Sequence, residues 1–207
     1  MAIVLGFARG FATLKLLMRA RSRGELSRLS VIVAVGDVED TVGREVRDLA
    51  LHLRERRLGF QILALGDGSH DTSLTLLQLL SAEIPELSVL GSARPGHAFR
   101  RAMAHTQGEV VLLWEAGRGP APPHAIVGWA LSRLGRKDAV IVRGRCIFAN
   151  RIRALPVLLH VHGHGDVYEA RFERRALGLR LDVDIVGKRA RRRRRSLLAP
   201  VLRILSV

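Results

Sequence analysis

The residues best suited to chemistry form one turn, Gly66-Asp67-Gly68-Ser69-His70-Asp71, directly behind a β-like apolar run. Asp67 brings a carboxylate, Gly68 a flexible backbone and Ser69 a hydroxyl, a set that suits a nucleoside whose base donates to the carboxylate. A plain Asp-Gly turn is the competing reading. A second group is His160, His162 and His164, alternating with Val161 and Gly163. On an extended segment the three imidazoles share one face, a spacing compatible with a metal ion; the alternative is a His/Gly loop without metal. Glu169 and Glu173 follow on a helix-like stretch at i, i+4, while Arg171, Arg174 and Arg175 share another face. No arginine of this group stands three or four residues from either glutamate, so the five read as a solvated charged surface.

Those residues need elements to position them. Leu29–Val35 is a nearly continuous β-branched run, the pattern of a strand buried on both faces. Val42, Val46, Leu49 and Leu53 are spaced four, three and four, which predicts a helix over 40–58. Further strands are predicted at 60–65, 87–90, 109–114, 139–142 and 181–186, and further helices at 98–106, 122–134, 166–177 and behind Asp71, which can cap its helix. Six strands alternating with helices through short links imply an α/β fold, a mostly parallel Rossmann-like sheet with helices on both faces. Such a sheet binds its ligand at the carboxyl ends of its strands, where Asp67 falls.

The chain has 207 residues, enough for one such domain plus short tails. Apolar residues make up 48%, which argues against disorder of the whole chain. Cys146 is the single cysteine, so an internal disulfide and a multi-cysteine metal site are excluded. The domain is placed at 29–187. Before it, residues 1–28 read as an amphipathic helix, with Ile3, Val4, Phe7, Phe11, Leu14, Leu17 and Met18 on one face, and a basic linker. Arg9 interrupts the apolar run and argues against a signal peptide, and no stretch is long and apolar enough to span a bilayer. After the domain, residues 188–207 read as a polybasic segment and a short amphipathic helix. Its seven cations, Lys188, Arg189 and residues 191–195, carry a large part of the net charge of +15. The excess favours acidic partners: anionic lipid, nucleic acid or a nucleotide phosphate. No aromatic residues interleave with the arginine run, so nucleic acid is disfavoured, while the apolar strip behind it favours an anionic membrane surface. The expectation is a cytoplasmic protein with peripheral contact at the inner membrane face.

Several stretches carry a resemblance in a fixed order. Ser30-Val-Ile-Val-Ala-Val35, Leu65-Gly-Asp-Gly-Ser-His-Asp71, Pro95-Gly-His-Ala98, Thr106-Gln-Gly-Glu-Val-Val-Leu-Leu113, Gly165-Asp166-Val167 and Asp182-Val-Asp-Ile-Val186 are similar, in sequence order, to the motifs of the family 2 glycosyltransferases, which have the GT-A nucleotide-sugar fold. The resemblance covers about three quarters of the chain. It implies transfer of a sugar from a nucleotide-diphosphate donor to an acceptor hydroxyl. By the same resemblance Asp67, Gly68 and Ser69 would hold the nucleoside, Asp166 would be the general base, and Glu115 would be a ligand to a divalent Mg²⁺ or Mn²⁺ ion. Helix N-capping is the alternative role for Asp166.

The chain departs from the family pattern at named positions. The first Asp of the D-D-G-S turn is Gly66, and the Glu before Asp166 is Gly165. The metal-binding D-x-D is Glu115-Ala116-Gly117, followed by Arg118. Gly117 offers no ligand, and the adjacent guanidinium opposes a metal but can contact a phosphate directly. The implied alternatives are an arginine-assisted, weakly metal-dependent enzyme and a non-catalytic relative that keeps the fold as a binding or partner subunit.

Overall fold

The structure, a computed structural model, describes residues 29–118 and 124–187. The N-terminal helix, the polybasic tail and the start of the helix expected from Pro122 lie outside the described residues. Within them, twenty Lys and Arg stand against eighteen Asp and Glu, so the domain contributes only +2 of the +15.

Seven strands form one sheet in the order β3-β2-β1-β4-β6-β5-β7. They are β1 (Leu29–Val35), β2 (Phe60–Asp67), β3 (Leu87–Ala93), β4 (Val110–Glu115), β5 (Ala139–Val142), β6 (Cys146–Asn150) and β7 (Val183–Val186). The helices are α1 (Glu39–Glu55), α2 (Ser73–Leu80), α3 (Ala98–Ala102), α4 (His124–Leu134), α5 (Arg151–Leu158) and α6 (Gly165–Gly178), with a 3₁₀ turn at Met103–His105. Every residue of β1 is buried. Because side chains alternate across a strand, Val31, Val33 and Val35 pack under α1, α2 and α4. Ile32 and Ala34 pack on the other face, with Phe99, Met103, Tyr168 and Phe172. The sheet is therefore a layer between two cores, as the β-branched pattern of β1 demands.

Six strands are those expected; β6 and α5 are additional. β6 runs antiparallel to both β4 and β5, while all other pairings are parallel. α5 starts behind Asn150, whose side chain accepts a hydrogen bond from the Arg153 amide at 3.1 Å. Register levels the functional edge: Val35 pairs with Gly66, and Ala34 with Glu115. The first residue of β6, Cys146, lies opposite Trp114 and Val142. Carboxyl ends of the parallel strands and the amino end of β6 thus share one edge.

Candidate functional site

The turn behind β2 is a hydrogen-bonded bracket. Asp71 accepts from the Ser73 amide and hydroxyl at 2.9 and 2.8 Å, the Ser69 hydroxyl at 2.8 Å and the Glu39 amide at 3.1 Å. Burial alone would raise its carboxyl, but these donors hold it well below the usual carboxylate range. Thr72 is the cap residue by backbone geometry, yet Asp71 supplies the capping oxygen. The β1–α1 loop is tied to the same turn: Asp37 accepts from the His70 amide at 2.7 Å, Glu39 from Thr72, and the Ser73 hydroxyl from the Val38 amide. At the last residue of β2, the Asp67 carboxylate is nearly buried, its side chain 6% exposed. Its Oδ2 meets His164 Nδ1 at 2.8 Å, and Oδ1 accepts from the Ala98 amide at the start of α3. A Cβ at Gly66 would come within 2.7 Å of the Leu74 side chain, so leucine fills the space of any side chain at this position.

The turn behind β4 is ionic. Arg118 Nη1 lies 3.2 Å from Glu115 Oε2 and 3.5 Å from Glu169 Oε1, and its Nη2 lies 2.5 Å from Asp166 Oδ1. The other Glu115 oxygen accepts from the Gly165 amide at 2.7 Å. Asp166 lies in the first turn of α6 with its side chain 67% exposed, and only Oδ1 is bonded. Glu169, one turn on, is buried and also accepts from the Gly144 amide at 2.9 Å. Burial pushes its carboxyl up, against the opposing pull of Arg118 and of that amide. Glu173 pairs with Arg143 at 2.6 Å, both side chains nearly buried. Glu169 and Glu173 are therefore not surface charges. Their partners come from the loops behind β4 and β5, which a within-helix count could not see.

The three histidines diverge. His160 Nδ1 lies 2.8 Å from the Pro156 carbonyl, His162 stacks on His97 with ring centroids 5.4 Å apart, and His164 holds Asp67. Among the described residues, no three His, Cys, Asp or Glu are arranged to hold a metal ion. The loop is pinned where the Gly163 amide donates to the Gly96 carbonyl at 2.8 Å; a Cβ at Gly96 would meet Gly163 Cα at 3.0 Å.

Asp67, Gly68, Ser69, Glu115, Arg118 and Asp166 thus share one sheet edge, but not one cavity. A small cleft there is lined by Glu115, Arg118, Arg145, Cys146, Tyr168 and Glu169 among others, and not by Asp67 or Asp166. Burial pushes the Cys146 thiol up to about 12 and the Tyr168 phenol up further, with Glu115 adding to the latter. The Tyr168 hydroxyl is buried with no hydrogen-bond partner. As arranged, these residues do not fit a divalent ion. Both Glu115 oxygens are committed, and Gly117 holds φ +71° with its would-be Cβ only 2.5 Å from Val38 Cγ1. An aspartate at 117 would meet both a left-handed backbone and the valine.

The mostly parallel α/β sheet with helices on both faces is the GT-A fold of nucleotide-sugar glycosyltransferases. Similar solved structures include the mannosyltransferase PcManGT from Pyrobaculum calidifontis in complex with GDP-Man and Mn²⁺, at TM-score 0.61 and 16% identity over 90% of this chain and 66% of that one. Glucosyl-3-phosphoglycerate synthase from Mycobacterium tuberculosis with Mn²⁺ and UDP-glucose follows at TM-score 0.59 and 18% identity, over 86% and 75% of the two chains. S. aureus TarS 1–349 with UDP-GlcNAc is similar at TM-score 0.57 and 13% identity, over 79% of this chain and 57% of that one. This chain therefore spans less than two thirds of the length of the first and third of these structures. No family model and no curated protein sequence matches it.

Proposed function

We propose that this protein binds a nucleotide-diphosphate sugar along the carboxyl edge of its sheet and transfers the sugar to an acceptor hydroxyl. The observation that carries the reading is the convergence on Arg118, where a partly exposed guanidinium from the β4 loop meets the α6 carboxylate Asp166 at 2.5 Å. Asp67 holds the base, its carboxylate fixed by His164, while Gly68 and Ser69 bring backbone and hydroxyl to the nucleoside. The acceptor oxygen forms the new bond to the sugar as the bond to the diphosphate breaks. Its proton passes to Asp166, and the charge on the departing diphosphate is met by Arg118. Glu115 positions Arg118 and the Gly165 amide.

The second reading is a non-catalytic, donor-binding relative. It is favoured by the fact that Asp166 is engaged by Arg118 rather than presented alone. Calorimetry with UDP, GDP and their sugar conjugates, paired with an assay of nucleotide release, separates the two. Binding with acceptor-dependent release is the expected result; binding without release under all acceptors selects the second reading, and no binding removes both.

Peripheral membrane association is proposed for the polybasic tail. No helix among the described residues is long and apolar enough to cross a membrane. Most of the net positive charge lies outside the near-neutral domain. Each cation near an anionic bilayer contributes about 1 kcal/mol. Co-sedimentation with anionic vesicles is expected for the full chain, weakened by salt, and lost in a chain ending at Val186. Equal pelleting of the two chains would rule the tail out.

A further inference from the structure

The three similar structures with bound donors raise a specific question: what replaces the Mn²⁺ that two of them hold. We propose that the Arg118 guanidinium is the resident cation of this site, standing among three carboxylates where a divalent ion would otherwise be drawn, and that it holds the donor diphosphate without a metal. The second half of this inference rests on the donor-binding reading above; the first half does not.

Three observations carry it. The guanidinium touches Glu115, Asp166 and Glu169 at 3.2, 2.5 and 3.5 Å, so carboxylates from one strand end and one helix converge on a single positive group. The neighbouring position that should complete an acidic motif is closed, because Val38 occupies the space of a side chain at Gly117. The small cleft beside the guanidinium is lined by Glu115, Glu169, Arg145 and Tyr168, and the Tyr168 hydroxyl is fully buried without a partner, its proton held by burial and by the Glu115 charge. The cations that line this cleft, Arg118 and Arg145, are the groups there that can engage an oxyanion.

Charge and geometry favour arginine here over a recruited ion. A metal would have to displace a guanidinium that already satisfies Glu169, whose burial makes an unpaired charge costly. A planar guanidinium has five donors, and the contacts with the three carboxylates leave Nε and part of Nη2 to meet a phosphate. Arg145 lines the same cleft and Arg143 pairs with Glu173 beside it, which offsets much of the acidic charge. The carboxylates are spaced around a guanidinium rather than around an ion, which is why no metal-sized group exists among the described residues. Asp166 is exposed enough to close in once the guanidinium is gone.

The test titrates Mn²⁺ by electron paramagnetic resonance, and UDP and GDP by calorimetry, on the full chain and on Arg118→Ala, with Arg118→Lys as the milder variant. The intact chain is expected to leave Mn²⁺ free and to bind nucleotide equally in Mn²⁺ and in EDTA. Arg118→Ala is expected to lose about tenfold or more in nucleotide affinity and to regain part of it only with Mn²⁺, which it now binds. Arg118→Lys retains a charge without the fork and is expected to fall between. Stoichiometric Mn²⁺ binding by the intact chain overturns the inference, as does an Arg118→Ala or Arg118→Lys protein whose nucleotide affinity is unchanged. If the alanine variant does not fold, the lysine variant and the intact chain decide. If neither nucleotide binds under any condition, the donor reading fails by itself, and Mn²⁺ binding to Arg118→Ala but not to the intact chain still supports the resident cation.

Discussion

The turns behind β2 and β4 occupy equivalent places in the sheet, on either side of β1, yet they satisfy their carboxylates in opposite ways. At the turn behind β2, Asp71, with Asp37 and Glu39 from the adjoining β1–α1 segment, accepts from backbone amides and neighbouring hydroxyls. Behind β4, Glu115, Asp166 and Glu169 meet across one guanidinium. An amide donor is part of the fold and cannot leave. An arginine side chain can rotate, and its partners can be exchanged for those of a ligand. The Asp71 bracket is therefore scaffold, and the Arg118 cluster is a candidate for exchange.

The sharpest contrast is expected from Asp166→Ala. In the catalytic reading it lowers acceptor-dependent nucleotide release by about 10²–10⁴-fold, the range for a lost general base. Urea unfolding should shift by no more than about 0.5 kcal/mol, because the carboxylate is largely exposed. A large stability loss with unchanged turnover would reverse the roles of the two turns. Asp71→Ala is the complement: it strands two amides and two hydroxyls and should cost about 2–3 kcal/mol in urea. The Asp71 carboxyl is held low in the native state, so its stabilisation is complete above the unfolded value near 4 and is lost as pH falls toward the lowered native one. Unfolding followed below about pH 4 should show a component that Asp71→Asn removes. Gly117→Asp, which adds the acidic residue that the resemblance implies there, should destabilise by about 1–3 kcal/mol through its positive φ and the Val38 contact. Adding Val38→Ala should recover part of that loss; full stability of the single variant would show that the β4 turn is freer than its contacts imply. The smallest effect is expected at Cys146, whose buried thiol, with its pKa pushed up to about 12, should resist a maleimide in the folded protein and react on unfolding. Prompt labelling of the native chain would mean that the ionic turn above it opens readily.

Much of the fold was legible because the buried strands announce themselves. β1, β2 and β4 are apolar runs that need two covered faces, and their spacing leaves room only for crossover helices. β6 was not legible as a strand: it is five residues long, and the run Cys-Ile-Phe-Ala-Asn has no alternation to separate it from a loop. The signal that could have found it is the Gly144 turn between Val142 and Cys146, which is hairpin-like. α5 was hidden by Pro156 within it, although its capping Asn150 was in view. At the site, Asp67, Glu115 and Asp166 could be placed at one edge from motif order. The roles of Glu169, Glu173 and Arg143 could not, because ion pairs between a helix and loops at strand ends depend on tertiary placement and leave no fixed spacing in the chain.

The antiparallel course of β6 has a consequence beyond pairing. It turns the chain at Gly144 on the same edge as Arg118, and Glu169 grips that turn by its amide. A hairpin loop can be lengthened without shifting the register of the strands that it joins. Residues added between Gly144 and Arg145 would project over the cleft while Glu169 keeps the near side anchored. The protein therefore carries, in one three-residue bend, a place where new surface beside the cleft can be grafted while the sheet and both cores stay as they are.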